Sequence, residues 1–150
     1  MATSAKQTII AGTDGSETAE RAVREAASIA RATGARLVLV SAFSDLHPYR
    51  ERIQSSARSD LIDLEKVSEQ LLQRTAERVG GDSLELDTLS RGGDPAEVLA
   101  EVAEELDAQL IVVGARGLGA VRRFLLGSVS NKVAHHAPCN VLIVRGDGEG

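Results

Sequence analysis

The chain has 150 residues and a formal net charge of −5, enough length for one ordinary domain that buries most of the surface its unfolded form would expose. The negative balance argues against non-specific DNA or RNA binding, and no Trp, two Phe and one Tyr leave few stacking platforms for single strands. The single Cys139 excludes an internal disulfide and agrees with a reducing, cytoplasmic setting. The opening MATSAKQTII is too short in its apolar run for a signal-peptide core, and no segment reaches the roughly 20 apolar residues that span a bilayer, so no membrane association is expected.

In chain order, Thr8 to Thr13 is a short β-branched run that predicts the first strand, closed by the turn cluster Asp14-Gly15-Ser16. From Glu17, Ala19, Ala22, Val23, Ala26, Ile29 and Ala30 recur at helical spacing until Gly34 offers a left-handed stop. Leu37 to Phe43 lacks alternation, as expected of a strand covered on both faces of a parallel sheet. Ser44 to Ser56 has no period and reads as a long, mobile loop. Leu61, Leu64, Leu71, Leu72 and Val79 then form the apolar stripe of a long helix ending at Gly80-Gly81.

Leu84 to Leu89 alternates apolar with polar residues, predicting an edge strand. Asp94-Pro95-Ala96-Glu97 combines a capping Asp, proline at the first helical position and a Glu able to reach back, predicting a helix through Leu106. Leu110 to Val113 is uniformly apolar and predicts a central strand, followed by a glycine-rich segment, a helix from Ser128 to about Ala134, and a last strand from Val141 to Val144. This order predicts one α/β domain over residues 1–150, a doubly wound parallel sheet with helices on both faces. Its ligand crevice would lie beyond the carboxyl ends of the strands where the winding reverses.

The chemistry-bearing segment is Gly114-Ala115-Arg116-Gly117, followed nine residues later by Gly127-Ser128. Glycines at 114 and 117 would let the backbone adopt positive φ and approach a ligand, and Gly127-Ser128 would present unpaired amides at a helix N-terminus, a setting that attracts phosphate. The competing reading is that the glycines permit tight turns and that Ser128 is an ordinary N-cap. Asp14 could hold a Mg²⁺ accompanying a nucleotide or bond a ribose hydroxyl, or could serve the start of the first helix. Arg122 and Arg123 suit either phosphate or a solvated turn. His135 and His136, about 100° apart on a helix, cannot share a metal as an i, i+4 pair would, and Cys139 has no CxxC partner, so both read as structural.

With Gly12-Thr13-Asp14-Gly15-Ser16, the pattern Gly-x2-Gly-x9-Gly-Ser at Gly114, Gly117, Gly127 and Ser128, and the ending Ala137-Pro138-Cys139-Asn140-Val141-Leu142-Ile143-Val144, the chain resembles the universal stress protein family (UspA-like), in its nucleotide-binding subgroup. The resemblance implies sheet order 3-2-1-4-5, binding of ATP or cyclic AMP in a stress-response regulatory module, and a homodimer; an apolar strand five at a sheet edge suits pairing through that strand. It further implies that Gly12, Thr13 and Asp14 lie by ribose and phosphates, that Ala42 offers backbone to adenine, and that Gly114 sits under the ribose. Arg116, Gly117, Gly127, Ser128 and Val129 would surround the phosphates, with direct contact by Arg116 added on electrostatic grounds. No Walker sequence is present and no general base is visible, so the expectation is a binding module, with a slow Mg-dependent ATPase using Asp14 as the alternative. A phospho-accepting receiver domain is rejected, because Ser90 and Arg145 stand near the places where it needs Asp and Lys.

Overall fold

The computed structural model describes residues 6–43, 57–81, 83–115 and 127–146, with side chains of the second helix described from Asp63 onward. Five strands, β1 (Thr8–Gly12), β2 (Arg36–Phe43), β3 (Leu86–Gly92), β4 (Leu110–Gly114) and β5 (Asn140–Val144), alternate with four helices, α1 (Glu17–Thr33), α2 (Ala57–Val79), α3 (Pro95–Glu105) and α4 (Ser128–His136). The strands form one parallel sheet in the order β3-β2-β1-β4-β5, the doubly wound topology expected.

The period of two along each strand divides the core between two faces. Ile9, Ala11, Leu37, Leu39 and Val112 face α1 and α2, whereas Ile10, Val38, Val40, Ile111 and Val113 face α3 and α4. Helix α1 meets its face with Ala22, Ala26, Ala27 and Ala30, small side chains that bring the helix close to the sheet. Its start is fixed by Ser16, whose Oγ accepts from the Ala19 amide at 3.2 Å, and its end by Gly34 at φ 77°, whose amide donates to the Ala30 carbonyl. Helix α3 begins as the sequence predicts: Asp94 Oδ2 accepts from the Glu97 amide at 3.1 Å and Pro95 opens the first turn.

Two elements depart from expectation. Strand β3 runs from Leu86 to Gly92, not from Leu84 to Leu89. Leu84 is buried but lies in the preceding turn, its amide donating to the Gly81 carbonyl, while polar Ser90 and Arg91 join the strand because each finds a partner across a helix. The stripe on α2 also differs: Leu72 is buried, but Leu64 is 37 % exposed. Ser68 lies level with Ser41, near the end of β2. Leu64 precedes Ser68 by four residues, about 6 Å along the helix, close to the roughly 7 Å by which β2 continues past Ser41, so Leu64 sits at the rim of the sheet. The side chain of Leu61, and the loop expected over 44–56, lie outside the described residues.

Candidate functional site

The winding reverses between β1 and β4, which are hydrogen-bonded neighbours whose chains continue in opposite directions, so the crevice falls at their carboxyl ends. Strand β1 leaves the sheet through Thr13, whose buried backbone amide donates to the Val40 carbonyl at 2.9 Å. The turn that follows is built from side chains folding back on amides: Thr13 Oγ1 accepts from Gly15 at 3.1 Å and Asp14 Oδ1 accepts from Ser16 at 2.9 Å. Asp14 is exposed at the rim and thus shapes the start of α1, while Ser16 two residues on is the helix cap. Gly15 takes φ 84°, and Leu71 of α2 lies against it.

On the β4 side, Gly114 is a strand residue and is not among the glycines of positive φ, contrary to the sequence expectation. Its lack of a side chain serves close packing: a Cβ would lie 2.7 Å from Thr18 Cγ2 and 3.0 Å from the Thr18 carbonyl carbon and oxygen. Ala115 continues the ladder by donating to the Val144 carbonyl, and its own carbonyl receives the Gly127 amide at 2.6 Å and the Ser130 hydroxyl at 2.9 Å. These bonds anchor the start of α4 directly beside the end of β4.

Gly127 is the N-cap of α4, with φ −65° and ψ 162°, and no side-chain hydrogen bond caps this end. Ser128 is therefore the first helical residue, not the cap, and is exposed; Val129 is half-buried. The Gly127 amide is already donated to Ala115, and the first bond within the helix runs from Asn131 to Gly127, which leaves the Ser128 and Val129 amides at the helix mouth. The expected ligand residues on the described chain thus converge: Gly12, Thr13 and Asp14 on β1 and its turn, Gly114 on β4, and Gly127, Ser128 and Val129 at α4. Ala42 stands near the end of β2, paired in register with Arg91. Arg116 and Gly117, and with them Arg122 and Arg123, lie outside the described residues.

Sequence reasoning missed two features that hold the crevice walls. Ser90 Oγ donates to Ser68 Oγ at 2.8 Å, and Ser68 donates to the Ser41 carbonyl at 3.4 Å, a polar thread from β3 through α2 to the residue before Ala42. Lys132 of α4 pairs with the capping Asp94 of α3 at 3.3 Å. Neither shows as a motif, since the partners are 22 to 38 residues apart. Among the described residues no group of His, Cys, Asp and Glu is clustered to hold a metal. His135 and His136 are exposed in the last turn of α4, and burial pushes the Cys139 thiol up from its ordinary value, consistent with a packing role.

A five-stranded parallel sheet whose reversal point gathers a tight β1–α1 turn and an uncapped helix N-terminus defines a doubly wound α/β protein. Residues 6–145 match the Universal stress protein family, and the chain belongs to it. It is 38% identical over 148 residues to a universal stress protein of Thermus aquaticus encoded beside a QAH/OAS sulfhydrylase, covering 93% of this chain and 98% of that one. Among solved structures it is similar to universal stress protein UspA from Lactobacillus plantarum, with a TM-score of 0.72 and 26% identity over 95% of this chain and 100% of that one. A universal stress protein crystallised in complex with cAMP superposes with a TM-score of 0.64 at 32% identity, covering 95% and 98% of the two chains.

Proposed function

We propose that this chain is a single adenine-nucleotide-binding domain of the stress response that takes ATP or cyclic AMP in the β1–β4 crevice and acts as a cytoplasmic homodimer. The observation that carries the reading is the convergence of the Thr13–Ser16 turn with the uncapped start of α4, tied together through Gly114 and Ala115. Its relative in complex with cAMP, at 32% identity, supports the ligand class.

In this reading Ala42 presents backbone to adenine, Gly12, Thr13 and Asp14 border the ribose and phosphates, and Gly114 lies beneath the ribose. Ser128 and Val129 offer amides to phosphate, Gly127 leaves room for it, and Arg116 and Gly117 complete the enclosure. A helix N-terminus contributes only about 0.3–1 kcal/mol to an anion, whereas micromolar binding requires about 8 kcal/mol, so α4 alone is insufficient and every wall must contribute. Asp14 would be the carboxylate that meets a Mg²⁺ accompanying the nucleotide. A single carboxylate suits a cation that takes most of its oxygens from nucleotide phosphates and water. The metal would screen phosphate charge, and Asp14 would fix its position.

Calorimetry of metal-free protein with ATP, cyclic AMP, AMP and GTP tests the assignment. Saturable binding of an adenine nucleotide, weaker for GTP, with a matching rise in melting temperature is expected. Mass spectrometry of what co-purifies then separates ATP from cyclic AMP. If all four leave both signals unmoved, the reading fails.

A further inference from the structure

A second concavity lies away from the crevice, between α1 and the carboxyl-terminal half of α2, with a volume of about 440 Å³. That is within the range of small-molecule sites, roughly 300–1,000 Å³. Its floor is mostly apolar: Val23 and Ala27 are buried, Val79 is half-buried, and the buried Thr75 turns its hydroxyl to the Leu71 carbonyl. Its rim carries Arg24, Arg31 and Arg78 against one acidic side chain, Glu20.

The charges on that rim are not balanced. Arg78 pairs with Glu20, which satisfies one guanidinium. Arg31 is held by donating to the Val79 carbonyl at 2.5 Å, a neutral partner that fixes its position without cancelling its charge. Arg24 is exposed and has no ion-pair partner among the described residues. Two positive charges therefore border an apolar floor on a chain whose net charge is −5. Arginine forks of this kind match carboxylate and phosphate, and the floor rewards an apolar body.

We infer that the α1–α2 cleft is a second binding site, for a small anionic amphiphile carrying one carboxylate or phosphate head on an apolar body. The head lies between Arg24 and Arg31, and the body covers Val23, Ala27 and Val79. The site is separate from the nucleotide crevice and does not depend on nucleotide binding.

The probe is 8-anilinonaphthalene-1-sulfonate, which joins an anionic head to an apolar body. Its fluorescence should rise saturably with one molecule bound per chain, and octanoate and octyl phosphate should displace it. Octanol and inorganic phosphate at equal concentration should not. Arg24→Glu should weaken the probe at least tenfold with at most a small fall in melting temperature, which the like charge of Glu20 one turn away would cause. Amide shifts should fall on Val23, Ala27 and Gly80, not on Gly12 and Gly127. Displacement by ATP, equal displacement by octanol, or unchanged affinity in folded Arg24→Glu protein would each overturn the proposal. Failure of ATP to bind would count only against the crevice reading, because the variant and the shift map report on the cleft alone.

Discussion

Gly114 at the end of β4 lies so close to Thr18 in the first turn of α1 that a β-carbon would sit 3.0 Å from the Thr18 backbone carbon and oxygen. A side chain can swing away from such a contact, but helix backbone can move only with the helix. Gly114→Ala should therefore cost about 1–3 kcal/mol in urea unfolding, and the displaced first turn should carry Asp14 with it and weaken nucleotide binding. Gly12 provides the contrast. There the three atoms nearest an added Cβ all belong to the Leu99 side chain, Cδ1 at 2.9 Å, and a rotamer adjustment of about 0.5–1.5 kcal/mol should accommodate Gly12→Ala. Equal destabilisation by the two changes would show that α1 yields as readily as a leucine.

Ser130 is 2 % exposed, and its hydroxyl lies 2.9 Å from the Ala115 carbonyl and 3.1 Å from the Gly127 carbonyl. It therefore ties both described ends of the segment between β4 and α4. Ser130→Ala removes the hydroxyl bond while the Ala115 and Gly127 carbonyls keep their backbone donors, and should cost about 0.5–1.5 kcal/mol. ATP affinity, measured by calorimetry on the same preparation, should fall by more than the stability loss explains, because the start of α4 is no longer tied to β4. A variant with wild-type stability and affinity would show that the Gly127–Ala115 backbone bond suffices.

The contrast between these positions explains what could be read in advance. Strands β1, β2 and β4 are legible because burial on both faces leaves almost no polar residues in them, and Asp94-Pro95 and Gly34 are legible because capping acts within four residues. Strand β3 slipped because its alternation gives no stop signal, and Ser90 and Arg91 are kept in the sheet by Ser68 and Glu105, partners invisible to a local window. The site was legible as a set of positions: β1 exit, β4 exit and the start of α4. The reason for its glycines was not. Gly114 looks like a residue freed for positive φ, yet it is a strand residue that needs space, and only the packing of α1 across 96 residues of sequence reveals this.

Strand β5 is an edge of the sheet, and Val141 to Val144 are only half-buried. An apolar edge of this kind invites a second copy. Sedimentation at micromolar concentration should show a dimer, and Val141→Lys with Ile143→Lys should shift it to monomer. Both side chains also touch the α3–α4 core, so circular dichroism on the same samples must show native helix content for the result to count. A folded double variant that remains dimeric would place the interface elsewhere.

Gly127 offers the sharpest separation of stability from binding. Its φ of −65° and ψ of 162° nearly repeat the −70° and 162° of Ser16, the residue that caps α1 through its hydroxyl. Any L residue can adopt this conformation, so glycine is not required for backbone reasons. Gly127→Ser should fold as well as the parent or gain a few tenths of a kcal/mol, since serine caps slightly better than glycine. By analogy with Ser16 Oγ, which accepts from the Ala19 amide three residues on, the new hydroxyl would accept from the Ser130 amide and stand in the mouth of α4. If the Ser128 and Val129 amides hold phosphate, the hydroxyl crowds the same helix mouth, and ATP affinity should fall at least fivefold while the unfolding midpoint holds or rises. A purely structural glycine would let stability change without any change in affinity. Unaltered ATP binding in a folded Gly127→Ser protein would remove the α4 N-terminus from the proposed nucleotide site.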